Sequence, residues 1–159
     1  MALVLTGEYL DWCLRQEKFA EHLYLELSRH KNTPEQAREI FAELARQEQE
    51  HYNSISFVKR VLRSSSELEK KFNLNQEERE NIEAYDRMVA QIELENLTFS
   101  QALELANELE AQFYEIHCLL ERTSTNKTLA SMFAKLSSGD HLHFETLRKL
   151  MDSRTEHNE

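Results

Sequence analysis

Four long stretches of the chain carry apolar residues at alternating spacings of three and four. This spacing places the apolar residues on one face of an α-helix, so each stretch predicts an amphipathic helix with a buried face. The four predicted helices cover about residues 6–30, 34–62, 98–122 and 126–152. A shorter stretch at about 76–93 has a weaker apolar stripe, which predicts a helix that crosses between the others or forms a dimer contact.

Short polar connections join the long helices in two pairs. After the first helix, Thr33 is a predicted N-cap, Pro34 suits the first helical position and Gln36 completes a capping box. Connections this short predict antiparallel hairpins, and two glycines and one proline in 159 residues agree with an all-helical chain. We therefore expect one all-α domain, residues 1–159, folded as an antiparallel four-helix bundle. Its parts would be two hairpins at about 7–62 and 98–152 and a long crossover at 63–97.

Carboxylate and imidazole side chains interrupt the apolar stripe near the middle of each long helix. The interrupting residues are Glu17, Glu48, His51, Glu110, His117, Asp140 and His143. An ionised carboxylate in a core is costly unless it is paired or bound to a metal, so these positions predict a functional polar layer. Glu48 and His51 form Glu-x-x-His on one helix face. Inward-facing helices with this pattern are typical of four-helix bundles that hold two iron or manganese ions.

The two predicted hairpins are copies of one another. The segment EKFAEHLYLEL, which starts at Glu17, matches EAQFYEIHCLL, which starts at Glu110. In the same way IFAELARQEQEHYNSI of the first hairpin matches MFAKLSSGDHLHFETL of the second. The repeat pairs Glu17 with Glu110, Glu48 with Asp140, and His51 with His143. Packing two such hairpins together is expected to bring four carboxylates and two imidazoles to the middle of one bundle.

A layer of this composition suits two divalent cations. Four carboxylates could not all stay ionised in a core without compensating positive charge, and two divalent ions would supply it. Oxygen and imidazole ligands favour iron or manganese. The alternative is a hydrogen-bonded polar layer that holds no metal. We expect His117, its repeat equivalent Tyr24, and Tyr114 to orient the carboxylates by hydrogen bonds, and the alternative for His117 is a third metal-binding imidazole.

Charge and cysteine content exclude several other functions. The formal net charge of −10 disfavours nucleic acid and anionic membranes as partners. Cys13 and Cys118 are far apart and form no Cys-x-x-Cys, which excludes a disulfide framework, a zinc ribbon and an attached rubredoxin-type iron centre. The opening MALVLTGEYL is too short and too soon polar for a signal peptide, and no apolar run reaches membrane-spanning length. These features predict a cytoplasmic protein without a membrane partner.

The motifs of the first hairpin resemble those of a known family. Glu-x6-Tyr followed by Phe-x-x-Leu-Ala-x-x-Glu-x-x-His is similar to the rubrerythrin branch of the ferritin-like superfamily, and SQALELANELEAQFYEIH resembles the third bundle helix of that branch. The resemblance covers about residues 7–151 and implies a ferritin-like bundle with a non-haem di-iron centre. By resemblance, the terminal ligands would be Glu17 and Glu110, the bridging ligands Glu48 and Asp140, and the ligands of one metal each His51 and His143.

The chain departs from this family pattern at two positions. Family members usually have glutamate where this chain has Asp140, whose side chain is shorter by one methylene. Rubrerythrins proper also carry an extra glutamate one turn after the third-helix ligand, where this chain has Phe113.

The resemblance implies reduction of hydrogen peroxide or dioxygen at the di-iron centre, with a proton supplied by Tyr24, His117 or Tyr114. Because the sequence has no rubredoxin motif, the electrons would come from a separate donor protein, and a homodimer is expected. Two other functions stay open. One is ferrous-ion oxidation for iron storage or delivery. The other is a non-catalytic helical scaffold with a degenerate site, which the short side chain of Asp140 favours.

Overall fold

Five α-helices make up the part of the chain that the structure describes. The computed structural model of the chain describes residues 5–71 and 74–155, with side chains as far as residue 153. Its helices are α1 (Thr6–Arg29), α2 (Glu35–Leu62), α3 (Gln76–Val89), α4 (Phe99–Thr123) and α5 (Lys127–Thr155). Within those two ranges no strand forms, apart from a single bridge between Leu5 and Lys71. The predicted all-α class is confirmed, while residues 1–4, where the segment weighed as a signal peptide begins, lie outside the described residues.

The four long helices form an antiparallel bundle. Helices α1 and α2 pack as one hairpin, α4 and α5 as the other, and the hairpins meet where α1 packs on α4 and α2 on α5. The ring of His30, just past the end of α1, lies 5.9 Å from that of Phe99, the first residue of α4, so these two helices run in opposite directions. The last turns of α2 and the first turns of α5 line one groove, from Val58 to Lys127, so this pair is also antiparallel.

The predicted cap of α2 is wrong. This helix begins at Glu35, with Pro34 at the N-cap position and no side-chain cap. The hydroxyl of Thr33 instead donates a 2.5 Å hydrogen bond to the carbonyl of Leu27. Thr33 is buried, and its hydroxyl satisfies one of the carbonyls that the last turn of α1 leaves without a helical partner. The predicted starts of α3 and α4 are confirmed by complete capping boxes, Asn75 with Glu78 in α3 and Thr98 with Gln101 in α4.

The crossover carries α3 against the outside of the bundle. Tyr85 is buried, with its ring 6.1 Å from that of Trp12 on α1 and 5.9 Å from that of Phe113 on α4. The indole N–H of Trp12 donates a 3.0 Å hydrogen bond to Asp86. Helix α3 therefore uses its apolar face within its own chain. It is also shorter than predicted, because Gln91 and the residue after it form tight turn hydrogen bonds after Val89.

The core is one apolar cluster divided by a polar layer. Apolar side chains such as Leu10 and Phe133 fill one end of the bundle, and Phe41 and Leu147 fill the other. Between them lie the buried acidic and imidazole residues of the four long helices. No described helix has an apolar stretch long enough to cross a bilayer.

Candidate metal centre

The six residues predicted as metal ligands meet in the middle of the bundle. One comes from α1, one from α4, and two each from α2 and α5, and together they are Glu17, Glu48, His51, Glu110, Asp140 and His143. Five of them are at most 2% exposed, whereas the side chain of His51 is 12% exposed. Burial of this kind removes water as a ligand for the carboxylates, so their charge must be balanced within the layer.

The side chains form two groups that share one residue. Glu17, Glu48 and His51 form the first group, and Glu48, Glu110 and His143 form the second. Within each group the ligand atoms lie within 4.8 Å of one another. Because Glu48 belongs to both groups, one of its oxygens can face each of two cations, which is the geometry of a bridging carboxylate.

The distances within the groups are short. In the first group, His51 Nδ1 lies 3.4 Å from Glu48 Oε2 and 3.5 Å from Glu17 Oε2. In the second, His143 Nδ1 lies 2.7 Å from Glu48 Oε1 and 3.3 Å from Glu110 Oε1. Each imidazole thus directs its Nδ1 atom toward two carboxylates, an arrangement in which a cation could replace the proton between them.

The buried atoms of these side chains fit a metal site. Each of the six residues has at least one buried polar atom that forms no hydrogen bond of good geometry with any residue that the structure describes. These atoms are Glu17 Oε2, both oxygens of Glu48, His51 Nδ1, Glu110 Oε2, Asp140 Oδ1 and His143 Nδ1. Leaving such atoms unpaired costs roughly 1–3 kcal/mol each, and more when they are charged. Oxygen and imidazole donors in this number suit iron or manganese, so the residues present fit a di-metal centre.

Asp140 lies in the layer but belongs to neither group. Its Oδ2 forms a 2.6 Å hydrogen bond with His117 Nδ1, and its Oδ1 lies 3.8 Å from His51 Nδ1. The shorter side chain keeps the carboxylate on the α5 side of the layer, where His117 holds it. Glu48 therefore has the bridging geometry that was expected of both residues, while the structure gives Asp140 a different partner.

The structure places Tyr24 and His117 beside carboxylates of the polar layer. The hydroxyl of Tyr24 donates a hydrogen bond to Glu110 Oε1. His117 is buried, and its Nε2 lies 3.8 Å from Glu17 Oε1, in addition to its hydrogen bond with Asp140. Both residues can therefore orient carboxylates of the layer.

The structure does not bring Tyr114 into the layer. Its side chain is 41% exposed, and its ring packs 5.4 Å from that of His141 on the surface. Phe113, one position earlier on α4, takes the inward direction and is 2% exposed. The prediction placed Tyr114 one turn from Glu110, but the helix rotation at that point directs Phe113, and not Tyr114, into the core.

Gln47 is a functional candidate that the sequence analysis missed. The Nε2–H of His143 donates a 2.8 Å hydrogen bond to Gln47 Oε1. A donor on Nε2 leaves Nδ1, which faces Glu48 and Glu110, as the atom that could bind a cation. The repeat offered a signal for this residue. Gln47 directly precedes Glu48, and its equivalent before Asp140 is Gly139, so the two hairpins differ in side chain next to the polar layer.

Protons compensate the carboxylates when no cation is bound. Burial by itself lowers the pKa of His51, but its contacts with Glu17 and Glu48 raise it to about 11. Burial likewise opposes the charged form of His143, whose contacts with Glu110 and Glu48 raise its pKa to about 10. Two imidazolium ions therefore stand where two metal ions would be held.

The pKa values of the carboxyl groups differ according to their imidazole contacts. Burial raises the pKa of Glu17 to about 7 and raises that of Glu110 as well. Burial and the charge of Glu110 also act to raise the pKa of Glu48, but its contacts with the two imidazoles outweigh them and lower it. Glu48 is thus the carboxylate that stays ionised most readily, as a bridge between two cations requires.

The pair formed by His117 and Asp140 behaves differently. Burial lowers the pKa of His117 to about 4 and raises that of Asp140 well above its ordinary value. The pair is therefore expected to hold one proton between them at neutral pH.

A comparison with known protein families agrees with this geometry. The family model described as Rubrerythrin matches residues 8–151, which include every residue of the two groups. No curated protein and no solved structure gave a significant match. Since the family match extends over most of the 159 residues, the chain belongs to the rubrerythrin family.

Proposed function

We propose that this protein holds two iron ions in the polar layer and uses them to reduce hydrogen peroxide or dioxygen. The observation that carries the proposal is the position of Glu48, which is shared by two buried groups that each offer two carboxylates and one imidazole. A hydrogen-bonded polar layer without metal would not require one carboxylate to face both groups of residues. Membership of the rubrerythrin family supports iron as the metal, although manganese accepts the same donors.

The ligand assignment follows from the two groups. Glu17, Glu48 and His51 would hold one ion. Glu48, Glu110 and His143 would hold the other. Since both imidazoles are protonated when no cation is bound, loading the centre requires each to release a proton.

When bound, two ferrous ions supply the two electrons that convert hydrogen peroxide, with two protons, into two water molecules. The chain itself orients the ligands and holds a proton nearby. Burial first, and then the charge of Glu110, raises the pKa of Tyr24, so its hydroxyl stays protonated and keeps its hydrogen bond to that carboxylate. The pair of His117 and Asp140 holds one proton, and His117 Nε2 lies 3.8 Å from Glu17 Oε1 at the edge of the first group. This pair is the proposed donor of one of the two protons.

The electrons that restore the ferrous state would come from a separate one-electron donor protein. The layer is buried on all sides except at His51, so the donor would transfer electrons through the protein rather than touch the metals.

The proposal is tested with protein from which metal has been removed. Two equivalents of ferrous ion are added without oxygen, followed by hydrogen peroxide, and the near-ultraviolet absorption of ferric ion and the peroxide consumed are measured. We expect about one peroxide consumed for each pair of ferrous ions oxidised. The Glu48→Gln variant should lose this response, while Glu50→Gln, an exposed residue on the same helix, should retain it.

Two results would contradict the proposal. Protein that binds no ferrous ion would exclude the di-metal centre. Oxidation of many ferrous ions per chain, with the iron retained, would indicate iron storage instead. Repeating the titration with manganese decides between the two metals by their relative affinities.

A further inference from the structure

Repeat-equivalent residues lie beside the two histidines of the proposed metal centre, and one has a polar side chain whereas the other has none. Gln47 precedes Glu48 on α2, and its side chain accepts a 2.8 Å hydrogen bond from His143 Nε2. Gly139 precedes Asp140 on α5 and faces His51 in the corresponding way, but it has no side chain to offer. One histidine is thus held by a hydrogen bond, while the other lies directly against a helix backbone.

The backbone at Gly139 leaves no space for a methyl group. A Cβ atom built there would lie 2.5 Å from His51 Nε2 and 2.8 Å from its Cε1. These separations are far below the roughly 3.5–4.0 Å at which nonbonded carbon atoms attract each other. The ring of His51 also stacks on that of His143, with centroids 5.4 Å apart, which limits the positions to which it can move.

Backbone conformation does not explain this glycine. No described residue of the chain, glycine or other, has a positive φ. Gly139 lies inside α5, where glycine is a poor helix former compared with alanine. The contact with His51 is therefore the structural reason for a small residue at this place.

We propose that Gly139 is a positioning residue that makes room for the His51 imidazole, so that Nδ1 of His51 reaches Glu17 and Glu48. With alanine at this position, the ring is forced away from α5, and its Nδ1 atom loses the 3.4–3.5 Å approach to the two carboxylates. The three atoms nearest to the added methyl all belong to His51, so Glu48, Glu110 and His143 should keep their contacts with one another. The expected product is a chain that holds one metal ion in the second group and none in the first; this consequence rests on the proposed function.

Manganese(II) is the probe for the first test. Equilibrium dialysis gives the number of ions per chain, and electron paramagnetic resonance distinguishes a coupled pair from an isolated ion with a six-line spectrum. We expect two coupled ions in the unaltered protein and one isolated ion in Gly139→Ala, with binding at the first position at least about tenfold weaker. The control is Ser138→Ala, an exposed neighbour on α5, which should bind two coupled ions. Two coupled ions in Gly139→Ala would overturn the proposal.

A second test needs no metal. The thermal unfolding midpoint is compared for the unaltered protein, Gly139→Ala, His51→Ala and the double variant, all without metal. When His51 is alanine, the clash is gone, and Gly139→Ala should raise the midpoint by a few degrees because alanine favours the helix. With His51 present, the same substitution should lower it or prevent folding.

The two tests separate this inference from the proposed function. An equal rise in the unfolding midpoint in both backgrounds would show that the ring and the added methyl do not collide, and the proposal would fall. A chain that binds no manganese or iron at all would refute the di-metal function, while the comparison of midpoints would still decide the role of Gly139. Folding of Gly139→Ala only when His51→Ala is also present would support the proposal.

Discussion

His117 Nδ1 and Asp140 Oδ2 lie 2.6 Å apart in the middle of the bundle, joined by a hydrogen bond from α4 to α5. The repeat relates His117 to Tyr24, which donates its hydrogen bond across the bundle, from α1 to Glu110 on α4. His117 approaches Glu17 in the equivalent direction, but its Nε2 stays 3.8 Å away. The second hairpin therefore uses this position to hold its own short carboxylate, and the two halves of the layer are not equivalent.

Removing this imidazole should destabilise the metal-free protein. In His117→Phe, Asp140 would lose its hydrogen-bond partner while remaining buried. An unsatisfied buried group costs about 1–3 kcal/mol, so the free energy of unfolding should fall by that amount. Urea denaturation at neutral pH measures it. The control His141→Phe, at an exposed position on α5, should change the value by less than about 0.5 kcal/mol. A similar loss in both variants would mean that the hydrogen bond does not contribute.

Lengthening the carboxylate at position 140 should strengthen metal binding. Asp140→Glu adds one methylene, which lets the carboxylate reach from α5 toward the first group, where His51 Nδ1 is now 3.8 Å from the aspartate. We expect manganese(II) affinity to rise by about tenfold, measured by titration calorimetry. Asp11→Glu, an aspartate half exposed on α1 and paired with Lys59, is the matched control and should leave the affinity unchanged. Equal or weaker binding by Asp140→Glu would show that the aspartate is already placed for its role.

The fold and the buried polar layer could be predicted because each rests on a strong sequence signal. The long helices follow from apolar spacing over more than twenty residues each. Glu48 and His51 are recognisable because a charged pair interrupts a buried stripe, and the repeat then finds Asp140 and His143 by matching. Burial of a charged side chain is costly enough that such interruptions need a physical reason.

Most of the details that failed depend on distances that no spacing pattern contains. Tyr114 is the exception, because Phe113 continues the apolar stripe between Glu110 and His117 and enters the core in its place. The hydroxyl of Thr33 could cap α2 or donate to the end of α1. It donates to the carbonyl of Leu27 in α1 and does not cap α2. The contact of Gly139 with His51 depends on how closely α5 approaches α2. Only packing determines the outcomes at Thr33 and Gly139.

Stability of the metal-free protein should fall as the pH rises above neutral. The folded pKa values of His51 and His143, about 11 and about 10, exceed the ordinary value of 6.5. A group with a raised folded pKa contributes stability that is fully present below its unfolded pKa and is lost as the pH rises through the folded pKa. Between pH 6.5 and 10, each imidazole should therefore remove up to about 1.4 kcal/mol of stability per pH unit.

Metal loading should remove this dependence above about pH 7, because two cations replace the two imidazole protons and neither the folded nor the unfolded state then carries a proton on these histidines. Urea denaturation between pH 7 and 9.5, with and without manganese(II), measures both slopes. Titration calorimetry in buffers of different ionisation enthalpy should also detect about two protons released per loaded chain near neutral pH. A His143→Asn variant should show a shallower slope without metal. Metal binding that releases no protons would mean that the two imidazoles are already neutral.

Tyr24 should matter for metal binding, and Tyr114 should not. The hydroxyl of Tyr24 donates to Glu110, a ligand of the second group, and Tyr24→Phe removes only that donor. Loss of a hydrogen bond that orients a ligand typically weakens metal affinity by 10–100-fold, so we expect a decrease of about that size for manganese(II). Tyr114→Phe removes a hydroxyl from the surface of α4, where the ring is 41% exposed, and should leave the affinity unchanged. Competition titration against a coloured chelator measures both variants. If the two substitutions weakened binding equally, the hydrogen bond to Glu110 could not be the cause, because only one of the two hydroxyls reaches it.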